Sequence, residues 1–132
     1  MNEVLELLSN SVLHMATVGE DQKPHVRPIG TIVDIEGKPY ICTNNTKDMF
    51  KEIQANPLVE FSAVIGDGQW LRIRGTLVHD PRREAKIAML EAVPSLAGMY
   101  NIDDGIFEVL YLKDCRAIHY VGFMTFHKEY EF

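Results

Sequence analysis

The chain has 132 residues, a length typical of one domain with a core of modest size. A hydrophobic content of 46% and a charged content of 24% are ordinary for a globular protein. The formal net charge of −6 argues against a nucleic-acid partner, because such binding depends on clustered lysines and arginines. No apolar run approaches the roughly 18 to 20 residues that a membrane span needs, so no membrane partner is expected. We therefore expect a single domain over residues 1–132.

Neither the cysteines nor the N-terminal segment indicates an exported or metal-binding protein. Cys42 and Cys115 are far apart and form no CxxC motif, so we expect two small buried hydrophobic residues in strands. The five histidines lack the spacing of metal ligands, and no metal is predicted. The segment MNEVLELLSN contains two acids and no base, unlike a secretory signal, and a cytoplasmic location is the expectation.

In chain order, the first predicted elements are a helix and three strands. Val4, Leu5 and Leu8 share one face of an amphipathic helix over residues 2–10, with asparagines at both ends as caps. The apolar segments that follow predict strands at residues 11–18, 25–35 and 40–42.

The second of these strands contains two residues that interrupt a regular ladder. Pro28 lacks a backbone N–H group, and Gly30 often marks a bulge or a close backbone approach. We therefore expect a bulge or an unpaired edge there, with backbone groups free to meet a ligand.

After the third strand, a polar turn leads into a short helix. Four residues with hydrogen-bonding side chains form the turn: Thr43, Asn44, Asn45 and Thr46. Met49, Phe50 and Ile53 then form one apolar stripe, and Pro57 ends the helix. The other side of the helix is predicted to carry Lys47, Lys51, Glu52 and Gln54.

The start of this helix fits two interpretations. Its first backbone N–H groups have no partner and the helix dipole is positive there. Lys47, with Lys51 one turn later, adds full charges, so this end can bind a phosphate. An ordinary helix with Asn45 or Thr46 as its N-cap explains the same residues. These residues alone favour the ordinary capped helix and leave both interpretations open.

The second half of the chain begins with a predicted hairpin of strands at residues 58–65 and 70–79. The later strand alternates regularly between two faces. One face is predicted to hold Leu71, Ile73, Gly75 and Leu77, and the other Trp70, Arg72, Arg74 and Thr76.

A third helix and the last strands complete the predicted elements. Asp80 is expected to cap the helix with Pro81 as its first residue. The inward face of the helix is predicted to be Ala85, Ala88, Met89 and Ala92. A loop with one turn at 97–100 is expected over residues 95–105, then strands at 107–112 and 116–120. The chain closes on an aromatic tail of Phe123, Phe126, Tyr130 and Phe132.

These elements predict a mainly β fold. Six or seven short strands with hairpin spacing, together with three short helices, are typical of an antiparallel barrel with helices at its rim. No dinucleotide, P-loop, zinc-protease or serine-hydrolase motif is present. His14 is expected to be a core or interface residue. Arg72 and Arg74 are ordinarily solvated charges, although beside Trp70 they could reach an anionic or aromatic ligand.

The order of these motifs resembles that of a known family. Arg27-Pro28-Ile29-Gly30 comes first, then Thr43-Asn44 with the lysine-bearing helix start, and then Trp70-Leu71-Arg72-Ile73-Arg74-Gly75. This arrangement, over roughly residues 11–120, resembles the pyridoxamine 5′-phosphate oxidase-like, FMN-binding split-barrel superfamily. It is especially similar to the short members related to nitroimidazole reductases.

The resemblance implies a homodimeric antiparallel split β-barrel that holds FMN between its subunits. Arg27, Pro28, Ile29 and Gly30 would contact the flavin ring and ribityl chain, partly through backbone. The phosphate would be held by the polar turn and the helix start: Thr43, Asn44, Asn45, Lys47 and Lys51. Trp70 and Arg72 would approach the flavin bound mainly by the other subunit.

Two departures from the family pattern limit which family properties are expected of this chain. The larger oxidases have Ser-Arg-Lys where this chain has Lys47-Asp48-Met49, so Asp48 adds a negative charge beside the phosphate. The C-terminal Arg-x-His segment of the true oxidases has no counterpart in FMTFHKEYEF. Oxidation of pyridoxamine phosphate itself is therefore not expected.

Two functional hypotheses follow from the resemblance. In the first, bound FMN passes electrons from reduced nicotinamide to a small aromatic or nitro acceptor, and no catalytic side chain is assigned. In the second, the barrel binds flavin, haem or a deazaflavin for storage, sensing or stress protection, without turnover. A flavin-free dimer whose groove has another use remains a third alternative.

Overall fold

The structure is a computed structural model that describes residues 1–9, 11–122 and 124–132. Among these residues, strands β1 to β8 are Leu13–Val18, Pro24–Ile29, Val33–Ile35, Lys38–Asn44, Leu58–Gly66, Gln69–Asp80, Phe107–Gly122 and Thr125–Glu131. Helices α1 to α3 are Asn2–Leu8, Asp48–Ala55 and Arg83–Ala92, and a 3₁₀ helix follows at Pro94–Gly98. The predicted mainly β fold with three short α-helices is confirmed.

The strands form one antiparallel sheet that curls into an open barrel. Its order is β2-β1-β5-β6-β7-β4-β3, with β8 added beside β7. β2 and β3 are consecutive in sequence but form opposite edges of this order, and only residues 30–32 connect them. A link of this length reaches at most about 14 Å, at about 3.5 Å per residue. The sheet must therefore curl until its two edges face each other, as the predicted split barrel requires.

The prediction of one strand over residues 25–35 is wrong. The chain leaves β2 after Ile29, close to the predicted interruption, and then crosses to the far edge of the sheet. Pro28 keeps a regular register position opposite His14. It is tolerated there because β2 is an edge strand and one of its sides needs no ladder bond.

Two apolar clusters fill the fold. The larger lies inside the barrel, and the residues Met49, Phe50 and Ile53 of α2 pack into it as the helical spacing predicted. The smaller lies under α3, where Ala85 and Met89 are buried. The predicted burial of Ala92 is wrong, because α3 ends at this residue and exposes it.

The last two predicted strands are one. β7 continues through residues 113–115, where Asp114 has a φ of 54° and the register with β6 shifts between Arg74 and Thr76. This is a β-bulge, in which one strand carries an extra residue without ending. The tail, expected only to close the chain, forms β8 from Thr125, while Phe123 lies outside the described residues.

All the predicted helix caps that fall on described residues are wrong. Met1, Lys47 and Arg82 are the residues that precede α1, α2 and α3, and none makes a side-chain cap bond. Asp80 is buried instead, and it accepts hydrogen bonds from Tyr40 and Arg82. Asn10, the predicted C-terminal cap of α1, lies outside the described residues.

Both cysteines lie in strands, as predicted. Cys115 of β7 is buried, Cys42 of β4 is half-buried, and both thiols are free. Burial raises the pKa of the Cys115 thiol to about 11. In the part of the chain that the structure covers, no helix combines the length and apolar character needed to cross a bilayer.

Candidate functional site

A groove of about 670 Å³ opens between the edge strand β2 and the turn from β4 to α2. One wall is residues 25–31, from β2 and the link after it. The other sides come from the β4–α2 segment and from the 3₁₀ region: Cys42, Thr43, Lys47, Asp48, Met49, Glu52, Leu96, Met99 and Tyr100. Because β2 and β4 lie near opposite ends of the sheet order, the groove depends on the curl of the barrel.

The Asx-turn that precedes α2 is organised by Asn44. Its Oδ1 accepts hydrogen bonds from the Thr46 backbone N–H at 3.1 Å and from the Thr46 hydroxyl at 2.5 Å. Its Nδ2 donates to the Tyr100 hydroxyl at 2.9 Å. Asn45 is outside the groove lining in the described structure and donates through Nδ2 to the Gly105 carbonyl at 2.9 Å. These bonds explain why Asn45 and Thr46, expected as N-caps, do not cap α2.

Thr43 lines the same groove and has an unpartnered hydroxyl. The residue is 3% exposed, and its Oγ1 is the one buried side-chain polar atom without a hydrogen-bond partner among the described residues. A buried polar group left in this state costs about 1–3 kcal/mol. A ligand with a hydrogen-bonding oxygen at this position would remove that cost.

Three charged or titratable residues that line the groove contact one another, and we call them the groove floor: His25, Arg27 and Glu52. Glu52 is buried on α2, and its carboxylate accepts a hydrogen bond from the Thr17 hydroxyl at 2.6 Å. It also lies 3.1 Å from His25 Nδ1 and 3.6 Å from Arg27 Nη2. Arg27 in turn donates to Thr17 Oγ1 at 2.8 Å. The prediction that Glu52 occupies the polar side of α2 is wrong.

Lys47 differs from these floor residues. It is exposed at the rim of the groove, immediately before the first residue of α2, and α2 has no side-chain cap bond. In the described part of the chain, no carboxylate lies within 4.0 Å of its amine. Lys47 therefore offers an unpaired positive charge at a helix start, where an anion is favoured.

The Cys42 thiol does not provide a nucleophile here. Burial raises its pKa, although the nearby positive charge of Lys47 acts in the opposite direction. The neutral thiol thus predominates near neutral pH, and Cys42 contributes an apolar surface to the groove.

A second cavity, of about 430 Å³, is a poorer site for an anion. It is lined by Arg74, Glu60 and Asp114 among mostly apolar residues. Arg74 Nε lies 3.5 Å from Glu60 Oε1, so its charge is already paired. Asp114 adds a further negative charge, which disfavours an anionic ligand.

Trp70 and Arg72 lie on the outer face of the sheet. Trp70 stacks on Tyr120, with ring centroids 4.6 Å apart and an interplanar angle of 13°. Arg72 lies over the Trp70 ring at 5.1 Å and pairs with Glu60 at 3.1 Å. Together with the exposed His14, they line a small cavity on that face. His14 is therefore not a core residue of this chain.

The structure brings together part of the predicted cofactor site. Six of the predicted residues line the groove: Arg27, Pro28, Ile29, Gly30, Thr43 and Lys47. Five are outside its lining in the described structure: Asn44, Asn45, Lys51, Trp70 and Arg72. Asn44 and Asn45 shape the turn beside it, and Lys51 is an exposed residue of α2.

Several groove residues were not predicted from the sequence, although helical spacing indicates all of them except His25. Glu52 follows Met49 by three residues, a spacing that places both on one helix face. Leu96, Met99 and Tyr100 have the i, i+3, i+4 spacing of one turn, in a segment that was expected to be mostly loop. No local pattern marks His25 as a neighbour of Glu52, since the two meet only through the barrel.

Comparisons with known proteins identify the family. The sequence family described as pyridoxamine 5′-phosphate oxidase matches residues 1–107. A solved NimC/NimA family protein from Clostridium acetobutylicum is 44% identical, with 100% of this chain and 93% of that chain covered and a TM-score of 0.90. Among curated protein sequences, none gives a significant match.

Two further solved structures share the fold at low identity. A pyridoxamine 5′-phosphate oxidase-related, FMN-binding protein from Nostoc punctiforme is 17% identical, with 89% and 81% of the two chains covered and a TM-score of 0.69. A heme-binding protein from Mycobacterium smegmatis is 18% identical, with 93% of this chain and 53% of that chain covered and a TM-score of 0.72. Because the family match spans most of the sequence and a solved relative is 44% identical over this whole chain, the protein belongs to the pyridoxamine 5′-phosphate oxidase family.

Proposed function

We propose that this protein is an FMN-binding flavoprotein that passes electrons from reduced nicotinamide to a small aromatic or nitro acceptor. Family membership and the FMN-binding relative from Nostoc punctiforme support a flavin. The resemblance to nitroimidazole reductases supports the class of acceptor, and the 44% identical relative is a NimC/NimA family protein.

The observation that carries the proposal is that one groove is lined both by Thr43, which has a buried and unpartnered hydroxyl, and by Lys47, which has an unpaired charge. A phosphate oxygen would accept a hydrogen bond from Thr43 and pair with Lys47, and the start of α2 would add backbone N–H groups. Asp48 also lines the groove, but it is exposed, so solvent and salt screen its repulsion.

The remainder of the groove suits a planar ring system. Its volume of about 670 Å³ lies within the range of about 300–1,000 Å³ that small-molecule sites occupy. Apolar side chains from separate elements face it: Ile29, Met49, Leu96 and Met99. The backbone of residues 27–30 runs along one side and ends in a link without ladder bonds, where amide groups can meet polar ring atoms.

When bound, FMN would supply hydride and electron transfer, chemistry that amino-acid side chains lack. The role of this chain is then to bind the phosphate, to orient the rings and to limit the access of water to them. No catalytic side chain needs to be assigned for that role.

A second copy of the chain is the partner we propose for the outer face of the sheet. Val64, Trp70, Tyr120 and Phe126 are register neighbours across β5, β6, β7 and β8 and form the outer apolar row. Val64 is 62% exposed and Phe126 is 59% exposed. A contiguous apolar surface of this kind marks an interface, and a homodimer would let Trp70 and Arg72 approach the groove of the partner.

The proposal is tested by the visible spectrum and by anaerobic reduction of the purified protein with added FMN. Rapid bleaching by reduced nicotinamide, followed by reoxidation on addition of a nitroaromatic compound, supports the oxidoreductase. A bound flavin that only dithionite reduces would instead identify a non-catalytic carrier. A colourless protein that does not bind added FMN would refute the flavin proposal.

A further inference from the structure

The buried carboxylate of Glu52 is an unusual feature for a groove that takes an anionic ligand. Glu52 has an exposed fraction of 6% and lines the groove one to two turns beyond Lys47 on α2. At about 1.5 Å rise per residue, the two residues are about 7.5 Å apart along the helix axis. Its negative charge would repel a phosphate bound deeper in the groove.

Glu52 is also the charge that neutralises Arg27. The distance from Arg27 Nη2 to Glu52 Oε2 is 3.6 Å, and the Thr17 hydroxyl bridges them by donating to Glu52 and accepting from Arg27 Nη1. Arg27 Nη1 also donates to the Met15 and His25 carbonyls, each at 3.3 Å. The guanidinium is thus committed to protein groups: the Glu52 carboxylate, the Thr17 hydroxyl and two backbone carbonyls.

His25 completes the set of charged or titratable side chains on that floor. Its Nδ1 lies 3.1 Å from Glu52 Oε1 and its Nε2 lies 3.2 Å from Asp21 Oδ2. The Arg27 guanidinium and the His25 ring thus both face carboxylates, whereas Lys47 at the rim has no such partner in the described structure.

We infer that Glu52 is a specificity-determining residue: by neutralising Arg27 it directs the cofactor phosphate to Lys47 and Thr43. This inference rests on the proposed function, since it concerns the orientation of FMN in the groove. Without the Glu52 charge, Arg27 would be a competing anchor, because an arginine fork binds phosphate strongly. FMN would then no longer prefer the one orientation in which its phosphate lies at the rim and its rings lie along β2.

The inference is tested by the dependence of FMN binding on Lys47 in three backgrounds, measured by equilibrium dialysis of the full chain at fixed pH and salt. In the wild-type background, Lys47→Ala is expected to weaken FMN about 10- to 150-fold, the equivalent of losing one charge-assisted hydrogen bond. In Glu52→Gln the same change is expected to weaken FMN less than about threefold, because Arg27 provides an alternative anchor. In Arg27→Gln/Glu52→Gln, which removes both charges, the full dependence on Lys47 should return.

Two results would overturn the inference. An undiminished dependence on Lys47 in Glu52→Gln would mean that Arg27 is no competing anchor. Equal weakening of FMN and riboflavin by Glu52→Gln would mean that Glu52 only supports the fold. Should Glu52→Gln fail to fold, the double variant Arg27→Gln/Glu52→Gln remains decisive. If it loses FMN affinity by more than about tenfold, or if its FMN affinity no longer depends on Lys47, the claim that Glu52 neutralises Arg27 is refuted.

Inorganic pyrophosphate separates this inference from the flavin proposal. Glu52→Gln should bind pyrophosphate more tightly than the wild type, and the double variant should not. A wild-type protein that ignores FMN while Glu52→Gln gains pyrophosphate affinity would refute the flavin function and support the charge argument. Absence of that gain would count against the charge argument whatever the flavin result.

Discussion

Asn44 donates a hydrogen bond through Nδ2 to the Tyr100 hydroxyl at 2.9 Å, although the residues are 56 positions apart in sequence. Asn44 shapes the turn before α2, and Tyr100 follows the 3₁₀ helix on another side of the groove. The bond therefore joins the proposed phosphate end to a wall that contributes Leu96 and Met99.

We expect Tyr100→Phe to loosen that wall. The change removes the acceptor of Asn44 Nδ2 and should lower the free energy of unfolding by about 1 kcal/mol, with weaker FMN binding. Chemical denaturation and flavin titration measure the two effects. Tyr111→Phe, a half-buried tyrosine outside the groove lining, is the matched control. Equal effects from both variants would exclude a specific role of the Asn44–Tyr100 bond.

Thr43→Val should stabilise the flavin-free protein while weakening FMN. Valine has nearly the same shape and removes a hydroxyl that has no partner, so a gain of about 1 kcal/mol in unfolding free energy is expected. Thr17→Val is the contrasting control, because the Thr17 hydroxyl donates to Glu52 and accepts from Arg27. That change should destabilise the fold by about 1–3 kcal/mol. Destabilisation by Thr43→Val would show that its hydroxyl already has a partner in solution.

The buried Asp80 predicts how stability depends on acid pH. Hydrogen bonds from Arg82 are the main cause that lowers the pKa of Asp80 from 3.8 to about 2, and Tyr40 adds a further bond at 2.7 Å. Since the folded pKa lies below the unfolded one, this stabilisation is complete above about pH 4 and is lost as pH falls through about 2. Because Arg82 is partly exposed, we expect about 1–2 kcal/mol.

Asp80→Asn should remove this part of the fall in unfolding free energy at acid pH, as measured by a series of denaturation curves between pH 2 and 6. Asp103→Asn is the control, because Asp103 pairs with Arg83 at an exposed site where solvent screens the interaction. A loss of stability at acid pH that Asp80→Asn leaves unchanged would contradict the assignment.

Burial raises the pKa of the Tyr40 hydroxyl from 10.0 to about 12. The stability that depends on its protonated form is therefore lost as pH rises from about 10 through 12.

The outer apolar row should be covered by a second copy of the chain. Val64→Lys places a charge at one end of that row and is expected to convert a dimer into a monomer, as measured by sedimentation equilibrium. Ile87→Lys, on the exposed side of α3, is the matched control and should leave the assembly unchanged. A wild-type protein that is monomeric, or a dimer that tolerates Val64→Lys, would contradict the proposed interface.

Local patterns predicted most elements but not where they meet. Apolar periodicity placed Met49, Phe50 and Ile53 in the core. Pro28 and Gly30 predict an interruption close to where β2 ends, but within one continuous strand over residues 25–35, which the structure divides in two. The crossing of residues 30–32 to the far edge depends on the strand order of the whole sheet, which no local pattern encodes.

The same limit applies to the candidate site. The groove residues Arg27, Thr43 and Lys47 could be predicted from short motifs within a resemblance to a known family. The burial of Glu52 is indicated only by its spacing from Met49, because a carboxylate in a short surface helix is ordinarily solvated. Its partners Thr17 and His25 come from strands that only the closed barrel brings near α2.

Paired titrations of FMN and riboflavin against the wild type and Lys47→Ala test the central claim most directly, since riboflavin differs from FMN only by the phosphate. If the phosphate binds at Lys47 and Thr43, Lys47→Ala weakens FMN by about 1.5–3 kcal/mol and leaves riboflavin nearly unchanged. Equal weakening of both flavins, or no change in either, would contradict the account.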